Sequence, residues 1–68
     1  MKVFAEEQID GMVTICRQDK PDESLTVMSG WLDDALIVFG WTILDDETID
    51  HDFTEDEWEN LLMELEVQ

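Results

Sequence analysis

The chain has 68 residues, with 19 Asp and Glu against 3 Lys and Arg for a formal net charge of −16, yet 44% of it is hydrophobic. That length leaves room for one domain over residues 1–68 with one modest core, because chains of about 60 residues bury only roughly 60% of their unfolded surface. The apolar content argues against a disordered acidic tail, and the single cysteine, Cys16, excludes an intrachain disulfide framework.

The charge is unevenly placed. Residues 1–20 set Glu6, Glu7, Asp10 and Asp19 against Lys2, Arg17 and Lys20, whereas the remaining 48 residues hold 15 carboxylates and no lysine or arginine. Such self-repulsion costs stability and makes sense mainly if a cationic partner uses it.

In chain order, Val3-Phe4-Ala5 and Met12-Val13-Thr14-Ile15-Cys16 flank Asp10-Gly11, a dipeptide suited to the positive φ of tight turns, which predicts a β-hairpin over residues 2–17. A polar connector follows, in which Pro21 suits the first position of a helix. From Asp22 to Phe39 two readings compete. Leu25, Met28, Leu32, Leu36 and Phe39 recur at helical spacing, but Leu25-Thr26-Val27-Met28 also suits a short strand, with Ser29 as N-cap of a helix whose first turn holds Asp33 and Asp34. Residues 30–39 are helical in both, and Gly40 reads as the stop.

Trp41-Thr42-Ile43-Leu44 reads as a short third strand joining the hairpin, and residues 45–52 as a charged loop. The last element has the clearest signal. Thr54 and Glu57 form a Thr-x-x-Glu capping box, and Trp58, Leu61, Leu62 and Leu65 form an i, i+3, i+4, i+7 stripe, which predicts a helix over 55–66. The expected class is α+β: an N-terminal hairpin, a central helix, a short third strand and a C-terminal amphipathic helix. Three tryptophans, Trp31, Trp41 and Trp58, load a small core and leave room for a homodimer.

The opening residues Met1-Lys2-Val3-Phe4-Ala5-Glu6-Glu7 meet acids before any long apolar stretch, unlike a secretory signal. The longest apolar run, Ala35 to Leu44, is about half a membrane span. A soluble, cytoplasmic protein is expected, with no membrane partner and no direct contact to nucleic acid, whose phosphates would repel this surface.

Residues 46–57 have the length of an EF-hand calcium loop, with Asp46, Thr48, Asp50 and Glu57 at ligand positions. His51 stands where that loop needs glycine, which favours a plain acidic loop leading into a capped helix. His51 is the only histidine, too few soft ligands accompany it for zinc, and no nucleophile-base pairing or phosphate loop is present. No enzyme activity, metal or cofactor is expected.

The remaining signal is the charge itself. On the C-terminal helix, acids occupy every side but the core stripe, with Met63 as an isolated apolar residue on the outer face. Proteins that bind DNA meet its phosphates with Lys and Arg grooves, and a small ordered acidic surface suits such a groove. The likeness to DNA-mimic inhibitors, small acidic proteins of phages and mobile elements, is one of size and charge, an analogy rather than a motif. The expectation is an inhibitor of that kind in a host or defence protein's basic nucleic-acid-binding site. The contact residues would be Asp33, Asp34, Asp45, Asp46, Glu47, Asp50, Asp52, Glu55, Asp56, Glu59 and Met63. The alternative is an acidic interaction module, an adaptor or antitoxin-like protein, whose basic partner does not bind nucleic acid.

Overall fold

Alternating burial of largely apolar side chains marks the first two strands, β1 (Val3–Glu7) and β2 (Met12–Arg17), which pair antiparallel with Val3 opposite Arg17 and Glu7 opposite Val13. Between them a 3-10 turn, Ile9–Gly11, carries positive φ at both Asp10 (73°) and Gly11 (72°), so the expected hairpin is present with this dipeptide as its left-handed corner. The coordinates are a computed structural model that describes residues 1–66.

The competing readings of residues 22–39 resolve in favour of a strand followed by a helix. Lys20-Pro21-Asp22-Glu23 is a turn closed by the Glu23 N–H donating to Lys20 O (2.9 Å), so Pro21 presets the φ of a turn instead of opening a helix. Strand β3 (Ser24–Met28) then pairs antiparallel with β2, giving the sheet order β1-β2-β3. It runs without a loop into helix α1 (Ser29–Phe39). Ser29 is therefore the first helical residue and not the cap. The flanking Met28 is extended with no side-chain cap, and Asp33 and Asp34 fall beyond the first turn.

Gly40 ends α1 as expected, at φ 79°. Its N–H donates to Ile37 O and the Trp41 N–H donates to Leu36 O, the paired bonds of a Schellman stop. That geometry displaces the expected strand at residues 41–44. Trp41 is spent on the stop and stacks on Phe39 (4.6 Å between ring centroids), leaving only an isolated bridge between Ile43 and Ile49. The outer edge of β1 is covered instead by residues 47–49: the Ala5 N–H donates to Glu47 O, and the Ile49 N–H donates to Val3 O. The third strand of the sheet is thus β3, and the α+β class stands.

Helix α2 (Glu55–Glu66) occupies the expected range, with both arms of its capping box formed. The Glu57 N–H donates to Thr54 Oγ1 (3.2 Å) and the Thr54 N–H to Glu57 Oε1 (3.0 Å). Both helices pack on one face of the sheet. Val3, Ala5, Val13 and Ile15 meet Leu32, Ala35 and Leu36 of α1, Trp58, Leu61 and Leu65 of α2, and Ile49 and Phe53 of the loop. Each large side chain so buried contributes about 1.5–3 kcal/mol. Trp58 lies in this core, and Trp31 and Trp41, half-buried, pack against it. No helix among the described residues is long and apolar enough to cross a membrane.

Candidate functional site

The charged residues divide into those the fold uses and those it does not. The first group centres on Arg17. The alternation that puts Val13 and Ile15 in the core puts Arg17 on the same face of β2, and its side chain is only 2% exposed. A buried guanidinium requires partners for all of its donors. Nε and one terminal nitrogen donate to Asp19 (both 3.0 Å), and the two terminal nitrogens donate to Glu55. One of them also donates to Glu23 (3.2 Å). All five N–H groups are thereby satisfied, and both ends of the connector, at Asp19 and Glu23, and the start of α2 are tied to β2 at one point. The guanidinium holds the Asp19 and Glu55 carboxyls below the usual carboxylate range.

Three more carboxylates have internal duties. Asp46 Oδ1 accepts from the Thr48 N–H (3.1 Å) and from Thr48 Oγ1 (2.5 Å), closing the turn in which Glu47 adopts φ 66°; these bonds lower the Asp46 pKa. Asp52 accepts from the Met1 amino group at 2.7 Å, which lowers its pKa in turn. Glu57 is held low first by the Thr54 N–H and then by His51, whose Nε2 lies 2.7 Å from Glu57 Oε2. The His51 ring stacks on Trp41 (4.5 Å) and meets Phe53 edge-on (4.9 Å), so Glu57 joins the aromatic cluster to the start of α2.

Asp46, Asp52 and Glu55, each expected at the contact surface, therefore also serve the fold. Of the 15 carboxylates beyond Lys20, ten make no ion pair or side-chain hydrogen bond among the described residues. They are Asp22, Asp33, Asp34, Asp45, Glu47, Asp50, Asp56, Glu59, Glu64 and Glu66, and all are exposed. They include seven of the residues expected on the surface, while Asp22, Glu64 and Glu66 were missed in that reading. Their signal was the same absence of a cation nearby in sequence. Met63 is 61% exposed, as the helix pattern requires.

Seven of the unpaired acids stand in three places. Asp50 borders a depression of about 310 Å³ with Asp46, Asp52, Lys2 and His51. On α2, Asp56, Glu59, Glu64 and Glu66 stand on the exposed positions around Met63. On α1, Asp33 and Asp34 precede Ile37 and Val38 by one turn each; these two aliphatic residues are 76% and 70% exposed. Among the described residues no group of three or more His, Cys, Asp or Glu is placed to hold a metal ion, so the ligand positions of the EF-hand-length loop do not converge. No family model, curated protein or solved structure matches this chain.

Proposed function

We propose that the protein is a non-enzymatic inhibitor that presents carboxylates in place of phosphates and occupies the basic nucleic-acid-binding site of another protein. The observation that supports this reading is the set of ten exposed carboxylates with no partner among the described residues, on an ordered frame. A chain that needed acids only for solubility would intersperse cations among them. Here the best-placed cation, Arg17, has all five of its donors engaged inside the fold. Carboxylates held on helices accept charge-assisted hydrogen bonds from Arg and Lys in the geometry a phosphate would offer.

A specific observation favours a second reading, an acidic module for a basic partner that does not bind nucleic acid. The exposed Ile37 and Val38 interrupt the negative surface with apolar groups that a phosphate backbone lacks. One experiment separates the two. The protein is immobilised, its basic partner is captured from cell extract at low salt, and the complex is challenged with duplex DNA. Release at DNA concentrations that saturate the partner is expected. A complex that persists there overturns the inhibitor reading in favour of the interaction module.

A further inference from the structure

The side of α1 that faces residues 41–44 is not finished as a protein surface. One depression of about 470 Å³ is lined by Asp33, Leu36, Ile37, Trp41, Thr42 and Ile43. A second, of about 200 Å³, shares Asp33 and Ile43 with it and adds Leu44, Glu7 and Glu47 over a floor of Ala5, Val13 and Leu32. Asp33 and Ile43 border both depressions, which adjoin there and together follow the side of α1 from Ile37 back to Ser29. Eight residues at 1.5 Å rise make that about 12 Å, or two helical turns. The apolar walls of this groove are open to solvent, Ile43 being 39% and Leu44 45% exposed, and its rim carries three carboxylates, Glu7, Asp33 and Glu47. None of the three has an internal cation.

We infer that this groove docks a basic, amphipathic segment of a partner protein, with apolar side chains between Ile37, Ile43 and Leu44 and Lys or Arg against Glu7, Asp33 and Glu47. Charge complementarity selects this occupant over a second copy of the chain. A copy would bring a further net charge of −16 and, with Arg17 engaged inside the fold, only Lys2 and Lys20 to set against the rim carboxylates, which makes their burial costly. The two chemistries divide the work: the rim attracts and orients, while the exposed Ile37, Ile43 and Leu44 supply contact that salt does not screen. The inference rests on the reading that the partner is basic. It does not require that the partner bind nucleic acid.

The probe is a synthetic 18-residue peptide of Leu and Lys with its leucines on one helical face, compared with a scrambled peptide of identical composition, and binding is followed by backbone amide shifts. The amphipathic peptide is expected to shift residues 33–44 and to bind at least about tenfold more tightly than the scramble. In about 1 M salt, where the screening length is roughly 3 Å, it should retain measurable binding while the scramble loses it. Ile37→Ser with Leu44→Ser should weaken it about tenfold, and Glu6→Gln with Asp10→Asn, exposed acids that do not line the groove, should leave it within about twofold. Equal binding of both peptides, shifts confined to α2, or indifference to the Ile37 and Leu44 substitutions would overturn the groove. So would sedimentation showing a dimer that those substitutions dissociate. Failure of DNA release in the capture experiment would instead remove the nucleic-acid reading and leave the groove standing.

Discussion

The two helices bury similar stripes and both show carboxylates to solvent, but they differ in the apolar surface exposed beside those acids. Outside its core stripe α2 is polar and acidic, with Met63 the exposed large hydrophobic residue, whereas α1 leaves Ile37 and Val38 in water one turn after Asp33 and Asp34. The stability of α2 follows from its own capping box and stripe, to which Arg17 of β2 adds a guanidinium clamp on Glu55. The outer face of α1 contributes nothing visible to the fold. Residues that a fold does not need, in a chain already burdened by repulsion, point to contact with something else.

The comparison breaks most visibly at the clamp. Arg17→Met leaves Asp19, Glu23 and Glu55 converging without a cation, and is expected to lower the melting temperature by more than about 15 °C. Arg17→Lys, with fewer donors in a different geometry, should fall between that variant and the native protein. The same region sets the acid limit. The Asp19 and Glu55 carboxyls titrate below their ordinary values of 3.8 and 4.5, so their stabilisation is fully present above those values. It is lost as pH falls through the depressed folded values, because protons then bind the unfolded chain first. A melting series from pH 7 to pH 2 should show this loss in the native protein. Arg17→Met should lose the share that Asp19 and Glu55 contribute and keep only that of Asp46, Asp52 and Glu57.

Adjacent residues of α1 sharpen the contrast between inner and outer faces. Leu36→Ala should cost about 2–5 kcal/mol in denaturant unfolding, as a buried leucine does. Ile37→Ala, next in sequence but exposed, should stay within about 0.5 kcal/mol. Equal losses would mean that the outer face belongs to the fold after all. Thr54→Ala should cost about 1 kcal/mol by removing one arm of the α2 cap. The smallest effect carries the opposite sign: Asp33→Asn with Asp34→Asn should raise the melting temperature by a few degrees at low salt, and added salt should erase the gain.

Where a signal was local, the sequence was legible. The hairpin corner at Asp10-Gly11, the Gly40 stop and the whole of α2 follow from residues within one turn of each other. Residues 24–28 were ambiguous because Leu25 and Met28 fit the helical stripe as well as a strand, and pairing with β2 decides between them. Residues 41–44 misled because their apolar character serves an aromatic stack and an open groove instead of a ladder, while residues 47–49 cover the edge of β1. Arg17 was the largest omission from the candidate site. It reads as one more cation near a polar connector, although the period-two alternation with Val13 and Ile15 already placed it inward. Once it is inward, Glu55 becomes its ligand, a coupling across 38 residues that no local pattern carries.

The central claim is that the unpaired carboxylates are held for an external cationic partner. The direct measurement is the affinity of the captured partner for the native protein and for a variant carrying Asp33→Asn, Asp34→Asn, Asp56→Asn and Glu59→Gln, taken across a range of salt. The account predicts that the variant, folded and no less heat-stable, binds at least about tenfold more weakly at low salt and with a shallower salt dependence. An affinity and salt dependence unchanged from the native protein would contradict it.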